Sequence, residues 1–101
     1  MKNLSYDSKP QSLNTLFFLM AQYGPMAVIP LDLICRDYFS HLPPDKFLRK
    51  ASLGELPIPI IRMEGSQKCH KGVHILDLAG YIDSRRDAAT KEYHQMHGVV
   101  G

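Results

Sequence analysis

The side chains here that could do chemistry are mostly cationic, and they are gathered in one place. Between residues 46 and 71 stand Lys46, Arg49, Lys50, Arg62, Lys68 and Lys71, against Glu55 and Glu64 alone, a net charge of +4. Residues 1–45 and 72–101 each carry three basic and four acidic groups, so the whole positive excess falls in one quarter of the chain. A confined basic patch is what a protein needs to neutralise phosphates. Ser66, Gln67 and His70 lie among these cations and can hydrogen-bond phosphate oxygens.

Other chemistries fare worse. Cys69, His70 and His74 are metal-ligand types, but no Cys-x-x-Cys and no second ligand pair stands at zinc spacing. As a nucleophile, Cys69 would need a pocket holding a base and an orienting group, and a hairpin loop supplies neither. There is no glycine-rich phosphate loop and no obvious carboxylate pair. The expectation is a protein that is not an enzyme and needs no metal or cofactor. The two cysteines lie far apart and the first ten residues are polar, which favours a reduced, cytoplasmic setting. The longest apolar run, Leu16 to Ala21, is far short of the ~20 residues that span a bilayer, so no membrane association is expected.

The cations need elements to carry them. Residues 1–12 read as a flexible tail and residues 13–97 as a single domain. Asn14 is a candidate N-cap for a helix over 15–23, ended by Gly24 and Pro25. Met26 to Ile29 reads as a short strand or an extended entry, and Pro30 can open a helix from Leu31 to Phe39 in which Asp32 and Arg36 can pair. After the break at Ser40–Pro43, Pro44 and Asp45 suit the first turn of another helix, which stops at Gly54. Around that helix Lys46, Arg49 and Lys50 fall in one sector and Phe47, Leu48 and Ala51 in the opposite one. Leu53 falls on the basic side.

Pro57 and Pro59 demand an extended segment. Ile60–Met63 and Val73–Ile75 are strand candidates on either side of a nine-residue loop, Glu64–Gly72. Gly65 and Gly72 flank Lys68 and Lys71 there, so the loop should lay cations along phosphates rather than hold bidentate base contacts. Arg62 can instead pair with Glu64 or Glu55. A long helix then runs from Leu76 to His97, with Leu78, Ile82, Ala89, Tyr93 and Met96 along one face. The fold class expected is mainly α with a small two-stranded β-wing, a winged helix-turn-helix of the excisionase or MerR-like kind.

The stretch Leu42-Pro-Pro-Asp-Lys-Phe-Leu-Arg-Lys-Ala-Ser-Leu-Gly-Glu-Leu-Pro resembles the excisionase and AlpA-like winged-helix pattern. Gly54-Glu55-Leu56-Pro57 stands where that pattern has its turn after the recognition helix. Asp77-Leu78 and Tyr81-Ile82 stand where it opens the next helix. A longer resemblance covers about residues 13–90. LFFLMAQYG, AVIPLDLICRDYFSHL, KFLRKASLGELPIPIIRME, SQK and KGVHILDLAGYID closely resemble the pyocin activator protein family. That resemblance implies a transcription activator that binds promoter boxes in double-stranded DNA, contacts RNA polymerase and serves bacteriocin or prophage genes.

The function expected is therefore sequence-specific DNA binding and activation. Lys46, Arg49 and Lys50 would lie in the major groove, with Arg62, Ser66, Gln67, Lys68, His70 and Lys71 on the wing. The alternatives are an excisionase-like architectural factor of phage recombination, and a protein-interaction module such as an antitoxin or anti-repressor. A chain of this length buries little surface, and the 15–23 helix is apolar nearly all round. A homodimer is expected, with Leu16, Phe17, Phe18 and Met20 at its interface.

Overall fold

A computed structural model describes residues 9–97, and the order of elements is α1–β1–α2–α3–β2–β3–α4. Helix α1 runs Lys9–Tyr23. It starts earlier than the sequence predicts because Pro10 occupies its first turn, where a missing N–H and a fixed φ cost nothing. Asn14 is thus inside the helix rather than capping it, and residues 9–12 are helical. The rest of the expected tail, residues 1–8, lies outside the described residues. Gly24 ends α1 with φ 74° and donates its N–H to Met20 O at 2.8 Å.

Strand β1 (Val28–Pro30) does more than lead into the next helix. It pairs antiparallel with β3 (Lys71–His74), matching Ile29 to Val73 and Pro30 to Gly72. Strand β2 (Ile61–Arg62) pairs with the other edge of β3, so the sheet has three strands in the order β1-β3-β2. The expected two-stranded wing is thereby joined to the body of the protein. Gly72 makes this possible. A Cβ there would stand 2.5 Å from Ile29 O and 2.7 Å from Val28 Cγ1, so only glycine lets the two backbones approach.

Helix α2 spans Leu31–Tyr38 and buries Leu31, Ile34 and Cys35. Burial pushes the Cys35 thiol pKa up, as befits a small core residue. Arg36 does not pair with Asp32. Its Nε donates to Asp37 Oδ1 at 2.7 Å, and Tyr23 donates its hydroxyl hydrogen to Asp37 Oδ2 at 2.6 Å. Both bonds hold the Asp37 carboxyl below its usual range, and the second ties the end of α1 to α2.

Helix α3 is Pro44–Ser52 and helix α4 is Ile75–Met96. Leu19, Ile29, Ile34, Phe47, Ile58, Val73 and Leu78 meet in one buried cluster that draws on every helix and on two strands. Four helices around a small antiparallel sheet are compatible with a helix-turn-helix followed by a wing. Helices α1 and α4 lie antiparallel. Thr15 donates to the buried Asp83 at 2.6 Å, while Leu16 and Met20 reach the level of Leu76.

Candidate nucleic-acid interface

Local rules explain why α3 can present its cations. Pro44 is in the first turn, Asp45 sits at the positive end, and Arg49 and Lys50 sit in the last turn, where the exposed carbonyls favour positive charge. The helix closes in a Schellman turn. Gly54 (φ 79°) donates to Ala51 O at 3.1 Å, and Glu55 donates its N–H to Lys50 O at 2.9 Å. Phe47 anchors the opposite face. It is fully buried, and its ring meets Phe39 edge-on with centroids 5.0 Å apart. The break between α2 and α3 is fixed as well, because Leu42 donates its N–H to Phe39 O at 2.9 Å.

With Phe47 pinned, Lys46 and Arg49 point to solvent, and among the described residues neither has an ion-pair partner. Lys50 is half-buried and differs from them: its Nζ lies 3.3 Å from Glu55 Oε1. Glu55 is therefore engaged with Lys50 rather than Arg62. Leu53 is exposed on the same cationic side, as its position in the helix requires.

The second cluster sits on the β2–β3 hairpin. The strands are shorter or shifted from those expected: β2 holds only Ile61 and Arg62, and β3 begins at Lys71. Lys71 thus belongs to a strand, opposite Arg62. Its ammonium group folds back and donates to Gln67 O at 2.6 Å, with Cys69 O at 3.5 Å. Ser66 organises the turn. Its carbonyl accepts from Cys69 N–H at 3.2 Å and its hydroxyl oxygen from Lys68 N–H at 3.1 Å. Met63 donates to His70 O at 3.0 Å. The loop is therefore more closely tied than its glycines suggest, and Lys71 and Ser66 do the tying. Arg62, Gln67, Lys68 and His70 remain exposed. No hydrogen bond or ion pair among the described residues joins this group to the α3 cations.

Two roles escaped sequence reasoning. His74, noticed only as a metal-ligand type, is the N-cap of α4: its Nδ1 accepts from Leu76 N–H at 3.1 Å. The signal was its place between a strand and a helix, but histidine is not a usual cap. Lys50–Glu55 was the other, since a spacing of five across a helix end matches no helical pairing rule. Among the described residues, no group of three or more His, Cys, Asp or Glu side chains could hold a metal ion.

Of the four residues expected at an oligomer interface, Leu16 packs on the core, while Phe17, Phe18 and Met20 are exposed. They do not share one face. Leu16 and Met20 border a hollow beside Leu76, whereas Phe18 borders a separate one beside Asp83 and Arg86. No described helix is long and apolar enough to cross a membrane.

No curated protein and no solved structure matches the chain. A family model does, that of the pyocin activator protein PrtN, over residues 15–89. The match takes in both cationic clusters and most of the core that positions them, and on it the chain belongs to the pyocin activator family.

Proposed function

We propose that this protein is a sequence-specific DNA-binding transcription activator, built as a winged helix-turn-helix. Helix α3 enters the major groove, which is wide enough for one α-helix. Lys46, Arg49 and Lys50 meet base edges and phosphates there. The β2–β3 hairpin is the wing. Arg62, Lys68 and His70 follow the DNA backbone, while Ser66, Gln67 and Lys71 hold the loop in shape for that contact. The output is activation, by contact between the bound protein and RNA polymerase at promoters of bacteriocin or prophage genes. Family membership supports that part of the reading.

The observation that carries the proposal is the division of α3. Phe47 is wholly buried, while Lys46 and Arg49, one residue before and two after it, project into solvent. A helix that keeps its cations off the core and unpaired, directly after a tight turn from another helix, is suited to an anionic groove.

Selection of bound duplexes from a random pool, followed by anisotropy titration, tests it. A consensus sequence should emerge. Arg49→Ala should then lose about 1–3 kcal/mol of binding to it and relax preference at one position. Selection that yields no consensus, or an Arg49→Ala variant that binds like the parent, would overturn the reading.

A further inference from the structure

We propose that a second copy of this chain docks antiparallel along α4 about a two-fold axis at Ala89, each Met96 seating in an apolar hollow of the other copy. Leu78, Ile82, Arg85, Ala89, Tyr93 and Met96 recur at spacings of three and four and form one stripe along α4. The two halves of this stripe differ. At its base, Leu78 and Ile82 border a hollow of about 300 Å³ shared with Tyr38, Phe39, Tyr81 and Arg85. Past Arg85 the stripe leaves the body of the protein. Ala89 is exposed, Tyr93 is 57% exposed and Met96 is 75% exposed on one helical face, and among the described residues the Tyr93 ring meets only His94 and His97 at the end of its own helix. Helix α1 does not cover them, because it lies on the face that carries Ala79 and Asp83.

The stripe complements itself. Ala89 stands seven residues from Ile82 and seven from Met96, so a two-fold axis there brings each apolar tip level with the opposite hollow. About 21 Å of helix axis separates tip from hollow, so the pairing spans the whole free arm. The small side chain at the crossing lets the helices approach closely. Charge follows the same axis. In an antiparallel two-fold pair each flank of a helix meets its own counterpart. Arg85 and Glu92 share one flank, four residues before and three after Ala89, so each Arg85 comes beside Glu92 of the second copy. Arg86 and Tyr93 share the other flank, which places a guanidinium beside an aromatic ring. Symmetry repeats each contact. An unrelated partner would have no reason to match tip to hollow and cation to anion about one residue.

Association is measured without DNA, so this inference stands or fails independently of the proposed function. The full chain is expected to sediment as a dimer at micromolar concentration. Arg85→Glu and Glu92→Arg each turn two attractions into two repulsions and should raise the dimer dissociation constant about tenfold. The double reversal should bring it back to within about twofold of the parent, because both ion pairs re-form with their signs exchanged. Both positions are exposed, and unchanged helicity by circular dichroism verifies the fold of each variant. In a Cys69→Ser background, Ala89→Cys should cross-link copies under mild oxidation while Asp87→Cys, on the opposite face, should not. A monomer throughout, single reversals without effect, or a dimer broken only by Phe17→Ser and Phe18→Ser would overturn the inference.

Discussion

Glu55→Gln should make this protein bind DNA more tightly, although it removes an ion pair. Lys50 Nζ and Glu55 Oε1 are 3.3 Å apart, with the two side chains 41% and 54% exposed. Coulomb attraction at that distance in water is about 1.3 kcal/mol. Screening and side-chain entropy reduce the net value for so open a pair to roughly 0.2–1 kcal/mol. To meet a phosphate, Lys50 must give up this carboxylate, so the free protein is stabilised by that amount relative to the complex. Glutamine cannot compete in this way, and affinity should rise roughly 1.5- to 5-fold at low salt. The local cation count also grows by one, so the plot of log affinity against log salt should steepen by up to about 0.9. The helix end should survive, because Glu55 closes α3 through its backbone N–H to Lys50 O. Anisotropy titrations at several salt concentrations would measure both effects, with thermal melting as the control on folding. An unchanged affinity and slope would place Lys50 away from the DNA. Weaker binding would make Glu55 itself a contact, and either result refutes the reasoning.

The hairpin lysines should behave differently from each other. Lys68→Ala should lower the salt slope by about one on cognate and scrambled DNA alike, as expected for a phosphate contact. Lys71→Ala should instead loosen the loop it ties through Gln67 O, visible as faster amide exchange at Lys68 and Cys69 even without DNA. Gly72→Ala should cost about 1–3 kcal/mol in denaturant unfolding, because the new methyl meets the fixed carbonyl of Ile29 as well as the Val28 side chain, and the carbonyl cannot move aside without breaking the strand pairing. Asp37 has a lowered pKa in the fold, so its stabilising bonds are present above the ordinary carboxylate range and are lost as pH falls through the folded value. Asp37→Asn should therefore flatten the stability curve on the acid side, and urea melts between neutral and acid pH would show whether it does.

The features legible in the sequence were those set by neighbours along the chain. The two faces of α3 follow from a helical period and a proline start, and its end at Gly54 follows from the demand for a left-handed residue. What was not legible depended on groups brought together from afar. The stretch at β1 reads as a strand or extended entry, but its pairing is not legible because its partner, β3, lies more than forty residues away, and only the packing of Gly72 on Ile29 reveals the pair. The side chain of Lys71 reads as one more cation until the hairpin supplies two carbonyls for it. The start of α1 is hidden for a local reason: Asn14 is a strong cap residue, but Ser8 before Lys9 is as good a cap residue in the sequence and Pro10 suits a first turn, so the earlier start has signals as good as the later one.

One polar bond in an apolar seam has consequences for the rest of the molecule. Thr15 and Asp83 meet between α1 and α4, where Asp83 is buried and its Oδ2 finds no partner among the described residues. An apolar pair would pack there without that desolvation cost, but Leu16, Leu19 and Met20 could then slide along α4 by a turn and still bury similar surface. A carboxylate bonded to Thr15 disfavours the shifted alignments, since each would break that bond. The register so chosen places Leu16 and Met20 by Leu76 and brings the first turn of α1 only as far as the middle of α4. The stretch from Ala89 to Met96 is exposed for a different reason: it faces away from the side of α4 that carries Ala79 and Asp83, on which α1 packs.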